Sequence, residues 1–197
     1  MYFFTMKCVR GRTLDQVLRA LRAGEDETGA AFSRHKLLTV FQSVCQAIAF
    51  AHEHGVIHRD LKPSNVMIGD FGQVQVLDWG LAKVLETEDL PADEGIEELT
   101  EDAHTLSGEM LGTPGYMSPE QAMGELDRID ARTDVYALGA ILFELLTLTP
   151  LHPRDSVEET LLSTIHGVDA RPNERVPGAH APPELSAICV KSTQLAP

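Results

Sequence analysis

At 197 residues and 43% hydrophobic, the chain is long enough to bury one sizeable core, and its composition excludes a disordered or fibrous protein. A formal net charge of -14 argues against a nucleic-acid binder, because counterion release requires clustered Lys and Arg. Cys8, Cys45 and Cys189 are widely spaced and odd in number, which gives neither a CxxC metal knuckle nor a disulfide framework and suits a reducing cytoplasm.

In chain order, the opening MYFFTMKCVRGR places apolar residues ahead of basic ones, the reverse of a secretory signal, so no export is expected. Thr13 and Gln16 form a capping-box pattern, and Leu14, Val17, Leu18 and Leu21 follow on one helical face until Gly24. A longer helix is predicted over 33–55, with Leu37, Val40, Phe41, Val44, Cys45 and Ile48 as its inward stripe. His52 and His54 lie near its end, but residues two apart do not share a helix face, so they do not read as a metal pair. Short β-branched runs come next, at Val56-Ile57, Val66-Met67-Ile68 and Val74-Gln75-Val76-Leu77, with a turn over 69–72. From 84 to 127 there is no Lys or Arg while carboxylates accumulate, so part of this segment is expected to be a mobile, solvated loop. The apolar run 135–148 contains Glu144 and is shorter than the roughly 20 residues a membrane span needs, so it is predicted to be a buried helix ended by Pro150 and Pro153. Leu185, Ile188 and Cys189 mark one more weakly periodic helix.

The chemistry concentrates in His58-Arg59-Asp60-Leu61-Lys62-Pro63-Ser64-Asn65, followed thirteen residues after Asn65 by Asp78-Trp79-Gly80, with a hairpin pattern between. Folding the strands back on each other brings Asp60, Asn65 and Asp78 together. One carboxylate would then face a hydroxyl nucleophile, and two oxygen ligands would be left for a hard cation such as Mg2+.

These segments resemble, in order and spacing, the catalytic and magnesium loops of the protein kinase family. Residues 112–120, GTPGYMSPE, are similar to the family's substrate-positioning loop, and Asp134-Val135-Tyr136-Ala137-Leu138-Gly139 resembles the start of its buried central helix. The wording MLGTPGYMSPEQA and DWGLAK looks like that of bacterial serine/threonine kinases of the eukaryotic type. The resemblance implies an α+β, protein-kinase-like fold: a mainly helical C-lobe with short β-hairpins and an N-lobe largely missing. Residues 1–11 would be the last N-lobe strand and hinge, 12–197 the C-lobe, and 78–120 the activation segment.

It further implies that ATP and Mg2+ are the cofactors and that Ser/Thr hydroxyls of protein substrates receive the γ-phosphate. Asp60 would orient the substrate hydroxyl as base, Lys62 would contact the γ-phosphate, and Asn65 and Asp78 would hold magnesium. Thr113 would mark Ser/Thr specificity, Met6 would be the gatekeeper, and the backbone of Lys7 and Val9 would meet adenine. His58, Trp79 and Gly80 would be structural, as would Glu120 and Asp134, the last as acceptor for the catalytic-loop backbone. Arg59 would pair with a phosphate on Thr105, Ser107 or Thr100. The family's glycine-rich loop, strand lysine and helix glutamate find no match within the 197 residues, nor does the arginine that partners the Glu120 position, so weak or absent activity and marginal folding are expected of this chain alone.

Three alternatives compete with an active kinase. A non-catalytic kinase-like binding module is disfavoured by the intact Asp60, Asn65 and Asp78, and an aminoglycoside-kinase-type enzyme by Lys62 and residues 112–120. A truncated gene product is the third.

Overall fold

The computed structural model describes residues 10–80, 82–84 and 112–195. Strand β1 (Arg12–Thr13) leads directly into helix α1 (Leu14–Arg22), where Thr13 caps the helix through the predicted box with Gln16. Helix α2 (Asp26–Ala31) is a six-residue element that the sequence did not signal, since it has no apolar stripe and contains Gly29. Helix α3 (Arg34–Glu53) is capped by Ser33, within one residue of its predicted start. Its fully buried residues are Leu37, Val40, Val44, Ile48 and Ala51. Phe41 and Cys45, expected on that stripe, flank the seam and are only half-buried.

Strand β2 (Val56–Ile57) precedes the polar loop, and a 3-10 turn (Pro63–Asn65) ends that loop. The hairpin of β3 (Val66–Ile68) and β4 (Val74–Val76) then pairs Val66 with Val76 and Ile68 with Val74. On the far side of β3 lies β1, with Arg12 opposite Ile68, giving the sheet order β1-β3-β4. At the entry to β1, Gly11 has φ of 145°, and a Cβ there would lie 2.1 Å from the Ile68 carbonyl oxygen. Strand β5 (Lys83–Val84) runs back antiparallel to β2. Leu77, read as the end of the third β-branched run, lies beyond β4.

Helix α4 (Pro119–Ala122) and a 3-10 turn (Leu126–Arg128) lead into α5 (Ala131–Thr147), the buried axis of the fold. The sequence placed this helix at 135–148. It begins earlier because the Asp130 side chain accepts from the Arg132 amide at 2.8 Å, and it stops at Leu148, which adopts φ of 55°. Helix α6 (Val157–His166), the short α7 (Pro172–Arg175) and α8 (Pro183–Ser192) complete the described chain. Helix α5 packs most closely against α8 and then α3, and its Phe143, Leu142 and Ile141 join Leu14 and Leu18 of α1 in the core.

No described helix is long and apolar enough to cross a membrane. Cys45 and Cys189 are free thiols. Met6, Lys7 and Val9, the phosphosite candidates Thr100, Thr105 and Ser107, and Cys8 lie outside the described residues, as does the acidic stretch 85–111, whereas 112–127 is described and includes two short helical elements.

Candidate active site

The polar loop between β2 and β3 is shaped by a carboxylate from far along the chain. Asp134, 1% exposed in the first turn of α5, accepts from the His58 amide through Oδ2 and from the Arg59 amide through Oδ1, each at 2.9 Å. Between those contacts Arg59 takes φ of 67°, a left-handed conformation that costs a non-glycine residue roughly 1–2 kcal/mol. Two charge-assisted bonds to one buried carboxylate offset that cost. A third contact to Asp134 comes from His52 Nε2 at 2.7 Å, so His52 serves the loop backbone, while His54 bonds the Phe50 carbonyl through Nδ1.

Beyond Arg59, the carboxylate of the buried Asp60 takes three hydrogen bonds, the longest of them from Asn65. Lys62 Nζ donates to Oδ2 at 2.7 Å, and Thr113 Oγ1 donates to Oδ1 at 2.6 Å. Lys62 also donates to Thr113 Oγ1 at 2.6 Å, which closes a triangle among the three side chains. Asn65, buried in the 3-10 turn, points Nδ2 at the Asp60 carbonyl (3.0 Å) and at its Oδ2 (3.4 Å). Asn65 Oδ1 takes no hydrogen bond among the described residues, yet it is not sealed from solvent.

Asp78 lies beyond β4 with an exposed side chain and φ of 62°. Its neighbours are tied down. The Leu77 amide donates to the Asn65 carbonyl at 2.8 Å, and the Leu77 carbonyl meets His58 Nε2 at 3.0 Å. The Trp79 ring packs on His58 with centroids 4.6 Å apart. Since the Asp60 amide donates to His58 Nδ1 at 3.3 Å, the imidazole connects the loop of Asp60 to the loop of Asp78 as a neutral Nε2–H tautomer. Among the described residues no group of three or more His, Cys, Asp or Glu is placed to hold a metal alone. One carboxylate and one amide oxygen suit an ion such as Mg2+, which keeps waters and phosphate oxygens as its remaining ligands.

Residues 112–120 are fastened to this centre by contacts the sequence did not single out. Gly112 has φ of 116°, and a Cβ there would lie 3.2 Å from the Arg59 carbonyl oxygen. Ser118 caps α4 in a box with Gln121, whose Nε2 also donates to the Arg59 carbonyl at 2.7 Å. The Ser118 to Gln121 spacing was a readable signal for this cap. Glu120 accepts from Thr133 Oγ1 at 2.7 Å, its hydrogen-bond partner among the described residues.

Tyr116 Oη donates at 2.5 Å to Glu144, which is 1% exposed in α5 and also paired with Arg22 and with Arg154. Burial, reinforced by Glu144, pushes the Tyr116 hydroxyl well above its usual pKa. In the sequence Glu144 showed only as a break in an apolar run, and its Arg22 partner lies 122 positions away.

Residues 1–190 match the model of the family described as protein kinase domain. Over 166 residues, 80% of the chain, it is 42% identical to the serine/threonine-protein kinase PknD of Protochlamydia amoebophila. It is 34% identical to the PknD of Chlamydia pneumoniae over 99% of the chain, and 34% identical to the serine/threonine-protein kinase PknB of Mycolicibacterium smegmatis over 96%. The chain spans 16%, 21% and 27% of the length of these three relatives. By sequence match across nearly its whole length, the chain belongs to the protein kinase domain family, in its bacterial serine/threonine branch.

Proposed function

We propose that this chain supplies the catalytic half of a serine/threonine protein kinase that transfers the γ-phosphate of ATP to hydroxyls of protein substrates. The observation that carries the reading is the triangle of Asp60, Lys62 and Thr113, with Asn65 fixed against Asp60. In this reading Asp60 orients the incoming hydroxyl and accepts its proton as the oxygen attacks the γ-phosphorus and ADP leaves. Lys62, within reach of both Asp60 and Thr113, places positive charge where the transferred phosphoryl group passes. Thr113 spans Asp60 and Lys62 and so ties the segment that receives substrate to the reacting centre. Asn65 Oδ1 and the Asp78 carboxylate would hold Mg2+, which neutralises phosphate charge when bound.

The remaining assignments belong to the same proposal. Residues 78–120 act as the activation segment, Met6, Lys7 and Val9 hold adenine, and Arg59 receives a phosphate placed on Thr100, Thr105 or Ser107. As an isolated polypeptide the 197 residues are expected to transfer phosphate weakly, because their sequence contains no glycine-rich phosphate loop.

The test uses the full-length protein with ATP, Mg2+ and a general Ser/Thr substrate. Asp60→Asn is expected to lower kcat by about 100-fold or more while nucleotide affinity changes little, whereas Asp78→Asn weakens the Mg2+-dependent part of nucleotide binding. Full-rate phosphotransfer by Asp60→Asn would refute the assignment of the base.

A further inference from the structure

Asp78 is held by its neighbours rather than by its own side chain: it is exposed, left-handed at φ of 62°, and its carboxylate takes no hydrogen bond among the described residues. On its amino side, Leu77 is fixed through both backbone groups, to Asn65 and to His58. On its carboxyl side the fixing residue is Trp79, the one tryptophan of the chain, and it makes a bond that a phenylalanine could not. Trp79 Nε1 donates to the carbonyl of Val76 at 3.1 Å, reaching back across Leu77 and Asp78 to the last residue of β4. The Trp79 carbonyl in turn accepts from the Ala82 amide at 3.0 Å, just ahead of β5.

The indole bond therefore closes a four-residue ring whose interior members are Leu77 and the left-handed Asp78. An aspartate pays for that backbone conformation and relaxes out of it unless its surroundings prevent it. Packing of the Trp79 ring on His58 fixes where the indole lies, but a benzene ring would keep that contact. Only the N–H reaches the β4 carbonyl and restrains the chain across Asp78 itself.

We infer that the Trp79 indole N–H is a latch that holds the backbone of Asp78 in its left-handed, carboxylate-outward state. Trp79 is thereby a positioning residue for the metal ligand. The inference rests on the reading of Asp78 as a magnesium ligand for its consequence, but not for its geometry.

Trp79→Phe in the full-length protein removes the N–H and keeps the aromatic ring. A neutral hydrogen bond of this kind corresponds to about a two- to tenfold change in an equilibrium. In metal-free protein, hydrogen exchange followed by mass spectrometry is expected to show amides of residues 77–82 exchanging about two- to tenfold faster in the variant, with the β3–β4 hairpin unchanged. Titration with Mg2+ at fixed nucleotide is expected to need about two- to tenfold more metal for half-saturation, while metal-free nucleotide affinity stays at the wild-type value.

Unchanged exchange over 77–82 overturns the latch whatever the metal titration gives. Faster exchange with an unshifted Mg2+ midpoint overturns the positioning role. Faster exchange in the variant, with no Mg2+ response in either protein, upholds the latch and instead counts against the kinase reading.

Discussion

At the scale of single residues, the polar groups in the loops were legible because they come as short ordered runs: Asp60, Lys62 and Asn65 fall within six consecutive positions. The buried polar residues that brace them were not, because their partners are distant in sequence. His152 is such a case. It is fully buried, with Nε2 2.9 Å from Tyr136 Oη and Nδ1 2.8 Å from Ser163 Oγ. Burial, helped by the charge of Arg175, lowers its pKa from 6.5 to about 4. The unfolded chain thus binds the proton first as pH falls. The contribution of the neutral, buried imidazole is complete above about pH 6.5 and is lost between there and about pH 4, a span worth roughly 3 kcal/mol. His152→Gln, which does not titrate, is expected to be less stable at pH 7 and to lose less stability on acidification. Urea unfolding of both proteins from pH 7 to pH 4 checks this, and parallel pH profiles would show that His152 carries none of the acid sensitivity.

At the scale of elements, capped and amphipathic helices were readable from sequence and close approaches between helices were not. Thr13 and Ser33 announced α1 and α3 to within a residue, since a cap followed by a 3.6-residue apolar period is a local signal. The short α2, α4 and α7 lack a long enough apolar period, and α6 is marked chiefly by its Ser156 cap. Gly139 looked like any glycine inside a helix, which should cost about 1 kcal/mol relative to alanine. Its reason is tertiary: a Cβ there would lie 2.1 Å from Ser192 Oγ and 2.8 Å from Thr193 Cγ2, at the contact of α5 with α8. The Ser192 hydroxyl is itself engaged with the Ile188 carbonyl, so it does not swing away freely. Gly139→Ala is therefore expected to destabilise by about 1–2 kcal/mol, overpacking exceeding the gain in helix propensity. Gly29→Ala in α2, where no atom lies within 4 Å of the added Cβ, is expected to stabilise by up to about 1 kcal/mol. Chemical denaturation of the two variants should thus give shifts of opposite sign, and a stabilising shift for Gly139→Ala would mean that α5 and α8 do not meet this closely.

At the scale of the whole molecule, α5 organises the site by presenting one buried carboxylate near each end. Asp134 grips the backbone of the Asp60 loop, and Glu144 grips Tyr116 of the segment that contains Thr113. The sequence showed an apolar helix, and the resemblance assigned Asp134 its acceptor role, but nothing local indicated that Glu144 would gather Arg22, Tyr116 and Arg154 from three other parts of the chain. The two carboxylates differ in what their loss exposes. Arg22 and Arg154 keep side-chain exposures of 28% and 40%, so water can solvate them when Glu144 becomes glutamine, and Tyr116 can still donate to the amide oxygen. The amide of His58 has no such recourse once Asp134 is removed, because that residue is fully buried. Each orphaned buried donor costs roughly 1–3 kcal/mol, and the left-handed Arg59 loses its restraint at the same time. Asp134→Ala is accordingly expected to cost about 3–5 kcal/mol, Glu144→Gln about 1–2, and Glu158→Ala on the exposed face of α6 less than about 0.5. Equilibrium unfolding of the three variants tests that ranking. If Asp134→Ala proved no more costly than Glu158→Ala, the backbone of the Asp60 loop would have to be held by contacts other than α5, and the role of that helix as its anchor would fail.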